Sequence, residues 1–380
     1  MLRQPRMDAE NSDKPFTLNT KPQLSSKDLV GIRLELQPVH SGEILPQYAT
    51  GLHAWFLEQV RKTNPELSQY LHDGESEKPF TISRLEGVKW EAGKKIKILI
   101  DQPYYWTITA LNSEVVKWLK QWLKHPPTVV RLRDIFLKVV AITTVYPSIT
   151  YQELLQTPIE KTLALSFVSP TSFRRKGNHF PLPLPFNVFQ SYLRRWNNFA
   201  NYPVETESFL QWIDEQVIIL RHQIHTLKVT AGKSGSVTGF VGAVEYGLST
   251  EARKNQEYVQ LFFALGKLAP YCGTGHKTPF GLGQTRYGWL LESEVFETTT
   301  TEILLAQRIE QVSEILMNNH GQKPGANTLR ICETRATILA RQEFGESLQD
   351  IAQDMEMPYE TVKTYAKLVR KLLKESNASN

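Results

Sequence analysis

Apolar residues change their period repeatedly along this chain, and each change predicts an element. From Asp28 to Val39, Val30, Ile32, Leu34 and Leu36 alternate with Arg33 and Glu35, the period of two that marks a half-buried strand. In GLHAWFLEQVRK the period lengthens, and Leu52, Trp55 and Phe56 stand at i, i+3 and i+4 on one face of a helix. Lysines then alternate with isoleucines from Lys95 to Ile98, and YYWTITAL adds a β-rich run. SEVVKWLKQWLKH reads as a second helix and RLRDIFLKVVAITTV as a closing strand. The order β-α-β-β-α-β over residues 28–148 predicts a ferredoxin-like domain, preceded by a polar tail at 1–27.

The pattern starts again after residue 150. LALSFVSPTSF is strand-like, NVFQSYLRRWNNFA and ESFLQWIDEQVIIL are helical, and TLKVTAG with SVTGFVGAVEYG makes a hairpin. The helix NQEYVQLFFALGKLAPY then runs into a glycine-rich loop, so residues 149–295 are expected to form a second ferredoxin-like domain. Polar stretches near 300 and 320 flank one helix, which predicts a linker over 296–328. Beyond it, Ser347 with Asp350 resembles a helix-capping box and Pro358 starts another helix. Ile351, Ala352, Met355, Met357, Val362 and Tyr365 take the buried offsets of a helix-turn-helix over 329–376. The expected class is α+β: two tandem ferredoxin-like, RRM-like domains plus a small all-α helix-turn-helix domain.

Composition narrows the chemistry. Cys272 and Cys332 stand far apart, which excludes a disulfide framework and a sulfur-rich metal site. No apolar run reaches the roughly 20 residues that span a bilayer, and the N-terminus has no signal-peptide core, so a cytoplasmic chain with no membrane partner is expected. The net charge of +5 permits an anionic partner, and the clustering of cations has to decide.

They do cluster. PYCGTGHKTPFGLGQTR carries two G-x-G units, Gly273 with Gly275 and Gly281 with Gly283, beside His276, Lys277 and Arg286. Glycine lets a backbone pass close to a ligand and turn its amides toward phosphate; the plainer alternative is a tight turn. FRRKGNHF sets Arg174, Arg175, Lys176 and His179 between aromatic residues, which suits phosphate contact and base stacking, against a merely solvated loop. Lys228 and Lys233 on the hairpin are further RNA contacts, again against plain solvation. The nearby Gly-Lys-Ser lacks the Walker glycine, since Leu227 stands in its place, which rejects ATP binding.

In the first domain His53, His72, Lys62 and Lys78 surround an Asn-Pro break. Cleavage of RNA without metal needs a base for the 2′-hydroxyl, an acid for the leaving 5′-oxygen and a cation at the phosphate, roles that histidine and lysine fill. A packed His53 and ordinary surface lysines are the competing account. Lys363, Lys367, Arg370, Lys371 and Lys374 make the last helix basic, while Glu356 occupies the turn position where glycine is usual.

Together these segments resemble the CRISPR repeat-processing endoribonucleases, the sixth numbered Cas family of the glycine-rich-loop RAMP superfamily, over about residues 29–290. The resemblance rests on the double G-x-G loop, on NPELSQYLHD followed by KPFTIS, and on FVSPTSFRRKG. It implies tandem ferredoxin-like folds and metal-independent cutting within CRISPR repeat RNA, leaving 2′,3′-cyclic phosphate and 5′-hydroxyl ends, with no cofactor. Similar members place a catalytic histidine where His72 stands and a lysine where Lys78 stands; many relatives carry theirs in the helix that holds His53. Both histidines are retained, His53 as general base and Lys78 at the phosphate. The helix-turn-helix departs from the family and resembles the DNA-binding end of sigma-type or response-regulator proteins, so DNA and protein partners stay open for it. Two competitors are a DNA-binding regulator and a non-catalytic RNA-binding subunit of a CRISPR effector.

Overall fold

The computed structural model describes residues 22–72, 77–88, 96–230, 235–290, 300–318 and 326–378. The first unit runs β1 (Leu29–Pro38), β2 (Gly42–Ile44), α1 (Tyr48–Thr63), α2 (Pro65–His72), β3 (Phe80–Ile82), β4 (Ile96–Ile98), β5 (Tyr104–Ala110), α3 (Ser113–Trp122), β6 (Val129–Leu132) and β7 (Ile135–Ile149). Its antiparallel sheet has the order β3-β5-β1-β7-β6, the ferredoxin arrangement with one added edge strand. Val30, Ile32, Leu34 and Leu36 are fully buried and meet Leu52, Phe56 and Val60 of α1 in one core, as their two periods require.

Three details differ from expectation. The alternating segment around Ile96 does not enter the main sheet: β4 pairs with β2 in a side ribbon, and Lys95 lies outside the described residues. The place beside β5 belongs to β3, three residues buried throughout, which have no alternation to read. The closing strand is a hairpin, β6 and β7, turned at Arg133 with φ 53°. The packed chain also reaches back before residue 28, because Leu24 is buried in the first core and Lys27 pairs with Glu153 at 2.5 Å.

The second unit runs α4 (Tyr151–Leu155), β8 (Leu163–Thr171), β9 (Phe173–Arg175), β10 (Asn178–Phe180), α5 (Pro185–Phe199), α6 (Thr206–Gln216), β11 (Val217–Thr230), β12 (Ser236–Leu248), α7 (Gln256–Cys272) and β13 (Thr285–Tyr287). Its sheet order β11-β12-β8-β13 repeats the ferredoxin order. The expected helix through Leu220 stops at Gln216, where β-branched Val217, Ile218 and Ile219 turn the chain into β11.

Among the described residues four helices follow, α8 (Thr300–Asn318), α9 (Ala326–Glu343), α10 (Leu348–Asp354) and α11 (Tyr359–Ala378). The expected linker helix is structural: Leu305, Ile309, Val312 and Leu316 of α8 share a core with Cys332, Ala336, Leu339 and Val369. Between α10 and α11 the Met357 amide donates to the Ala352 carbonyl at 3.0 Å, and Glu356 takes a left-handed conformation with φ 52°. That costs a non-glycine residue about 1 kcal/mol. Among the described residues no helix is long and apolar enough to cross a membrane.

Candidate active site and nucleic-acid interface

α7 ends at Gly273, and the chain folds back over Ser172 and Pro170 before entering β13. Thr274 donates its amide to the Gly283 carbonyl at 2.7 Å, Gly283 to Pro170 at 3.0 Å and His276 to Ser172 at 3.1 Å. The Gly275 amide donates to the Ser191 hydroxyl at 2.9 Å. All four loop glycines have φ between 64° and 78°. A Cβ at Gly275 would meet the Ser172 carbonyl oxygen at 2.2 Å, and one at Gly283 the Thr274 oxygen at 2.0 Å. Gly275 and Gly283 therefore serve backbone against backbone. The amides of Gly273, Gly275, His276, Gly281 and Gly283 are donated within the protein, which corrects the expected amide cradle for phosphate.

What the loop does is reach the first unit. The Phe280 ring stacks on His53 of α1, centroids 4.2 Å apart and planes 25° apart, and Phe80 of β3 lies 5.9 Å from the same imidazole. Arg195, buried in α5, donates to the Gly275 carbonyl at 2.7 Å and approaches Glu77 at 3.8 Å; its neighbour Arg194 pairs with Glu77 at 2.6 Å. Half-buried Lys78 follows Glu77 directly at this seam. Arg286 is held 3.5 Å from Glu86, which also pairs with Arg33 at 2.5 Å. His53, the segment bearing Lys78, the loop and Arg286 are thus brought to one junction. His72 stands apart from it, exposed at the end of α2 in an open depression with Arg61, Lys62, Ser68 and Gln69.

A second imidazole cluster lies on the other flank of the loop. His179 of β10 and His276 stack with centroids 5.5 Å apart, and the His276 Nδ1–H donates to the Ser172 carbonyl at 2.8 Å. Burial first, and the nearby Arg174 and Lys277 after it, push both imidazoles down to about 4. Burial with Arg174 likewise lowers the Lys277 ammonium to about 8. Exposed Arg174, Arg175 and Lys176 form the β9–β10 hairpin beside this pair, with Arg175 over the Phe180 ring at 5.2 Å. Lys228, expected as an RNA contact, is engaged in an ion pair with Glu310 of α8. Lys233 lies outside the described residues. Among the described residues no group of three His, Cys, Asp or Glu side chains could hold a metal ion.

Sequence reasoning missed Phe280, Glu77 and Arg195. Phe280 was visible only as an aromatic residue inside the loop. Arg195 sits in a helix whose neighbours Tyr192, Leu193 and Trp196 are all core, so nothing in the pattern separated it from a solvated charge.

Two ferredoxin-like sheets joined through a glycine-rich loop, with a basic hairpin at its side, define a tandem ferredoxin-like protein. Residues 30–145 match the model of the CRISPR Cas6 N-terminal domain, and residues 165–285 that of the CRISPR-associated endoribonuclease Cas6. These matches take in more than half of the chain between them, and the chain belongs to the Cas6 family. Among solved structures it is similar to a Cas6 (TTHA0078) product complex, 29% identical with a TM-score of 0.55, over 68% of this chain and 99% of that one. A substrate mimic complex of the same protein gives 28% and 0.51, again over 68% and 99%. The Thermus thermophilus Cas6 (TTHB231), in its product complex, shares the fold at 22% identity and a TM-score of 0.58, over 68% of this chain and 100% of that one. No curated protein sequence matches the chain.

Proposed function

We propose that this endoribonuclease cuts CRISPR repeat RNA in the cytoplasm, with His53 taking the 2′-hydroxyl proton, Lys78 neutralising the phosphate and His72, which lies apart from that junction in the free protein, brought to the leaving 5′-oxygen as its acid when the strand binds. Attack of the deprotonated 2′-oxygen on the adjacent phosphorus closes a 2′,3′-cyclic phosphate, breaks the bond from phosphorus to the 5′-oxygen and releases a 5′-hydroxyl end. The route needs two proton carriers and a cation, and no bound metal. The observation that carries the reading is the stack of Phe280 on His53, which fixes an imidazole of the first unit against the loop of the second. Arg174, Arg175, Lys176 and Lys277 line the flank along which the rest of the strand would lie.

The test is single-turnover cleavage of labelled repeat RNA in EDTA. Wild-type protein should cut at one position, and the His53→Ala/His72→Ala double variant should lose activity by at least about 10²-fold while still binding the RNA. RNA left whole by wild-type protein, or a double variant at full rate, refutes the assignment.

A further inference from the structure

Several acidic residues of the C-terminal helical unit face the nuclease body: Arg133, at the tip of the β6–β7 hairpin, bonds Glu346 at 2.6 Å and Asp354 at 2.7 Å and approaches Asp350 at 3.4 Å. Gln47, just before α1, also donates to Glu346, and Glu310 holds Lys228. On the other unit, the Gly235 amide donates to the Thr337 hydroxyl of α9 at 2.9 Å, and Glu333 of α9 lies within electrostatic reach of Lys277 in the glycine loop.

The basic residues of α11 are exposed to solvent. Lys363, Lys367, Arg370, Lys371 and Lys374 recur at i, i+4, i+7, i+8 and i+11, one stripe along α11, opposite buried Val362, Ala366 and Val369. All five are exposed, and among the described residues Lys367, Arg370 and Lys374 enter no ion pair. α11 packs on α9, where Arg335 lies over the Tyr365 ring at 4.9 Å, so one helix width of about 10 Å separates the stripe from the helix that faces the loop.

We propose that this stripe is a second RNA surface, which holds the phosphates of the substrate strand outside the cleavage site. The proposal rests on the assignment of the chain as a repeat-RNA nuclease. Three observations favour RNA held in cis over the DNA that a helix-turn-helix suggests. The unit is fastened to both ferredoxin-like domains, it lies next to the loop, and its exposed cations sit about one helix width from the helix that faces that loop. A helix cannot read bases in the deep, narrow major groove of an RNA duplex, so the stripe contributes charge without sequence preference.

The experiment compares the full chain with its Lys367→Gln/Arg370→Gln/Lys374→Gln variant, titrated with repeat RNA carrying its natural flanks across a salt series. Removing three phosphate contacts should lower the slope of log K against log salt by about 2 and weaken binding on the order of tenfold to a hundredfold near 0.1 M salt. The cleavage position, and the rate at saturating RNA, should stay as in wild type. Unchanged affinity and slope overturn the proposal, as does tighter binding of the same sequence as duplex DNA through these three residues. Absence of cleavage by wild-type protein in the same reactions would instead strike the nuclease assignment.

Discussion

His53 and His72 belong to consecutive helices of one unit and meet opposite surroundings. The first is clamped between Phe80 and Phe280, half-buried at the junction of the two units. The second is open to solvent beside Arg61 and Lys62. A clamped ring is already oriented and loses little entropy when a substrate arrives, but it also satisfies a purely structural role. An open ring has access and no fixed direction. Position in the fold therefore ranks the first for a step that needs alignment and the second for one that needs reach.

His53→Phe breaks or sharpens this comparison most strongly, because phenyl keeps the stack and removes the proton chemistry. Its cleavage rate should fall about 10³-fold with an unchanged melting temperature. A variant that cuts normally would make the clamp packing alone. His72→Gln should lose about 10²-fold in single-turnover rate with RNA affinity within a few-fold, and a loss below threefold would remove the open ring from the reaction. Phe280→Leu leaves both imidazoles in place and frees one face of the first; about a tenfold slower cut is expected, with Phe280→Tyr restoring it.

The smallest effect concerns the third imidazole environment, the His179–His276 pair. Both are held neutral in the fold down to about 4, whereas the unfolded chain takes up these protons below roughly 6.5. Between those values the unfolded state binds more protons, so stability falls as pH falls. The melting temperature should drop between pH 7 and pH 5, and the His179→Gln/His276→Gln variant should show a shallower drop. An equal slope in both proteins would mean that carboxylates elsewhere set the dependence.

Long amphipathic elements were legible in the sequence and short buried ones were not. α1 exposes one face and buries the other, and β1 alternates buried with half-buried positions from Ile32 onward, so their periods were readable. β3 buries all three residues, and its place was given to the alternating Ile96 segment, which pairs elsewhere. The two-domain order was visible because it needs only the sequence of periods. The site was half visible. His53 and the glycines stood out by residue type, but their meeting through Phe280, more than two hundred positions away, is a property of packing. The loop glycines stood out as candidates for ligand contact, and packing adds a second reason for two of them: carbonyls of Ser172 and Thr274 approach where a side chain at Gly275 or Gly283 would stand.

Arg133 has a further consequence. The helical unit is tied to the first domain through this guanidinium and Gln47, and to the second through Thr337 and Glu310. Three bodies joined pairwise form a triangle, and a triangle does not hinge unless one side gives way. Separating the two ferredoxin-like sheets would therefore require undoing one of these attachments as well as the direct contacts between the sheets, such as the stack of Phe280 on His53.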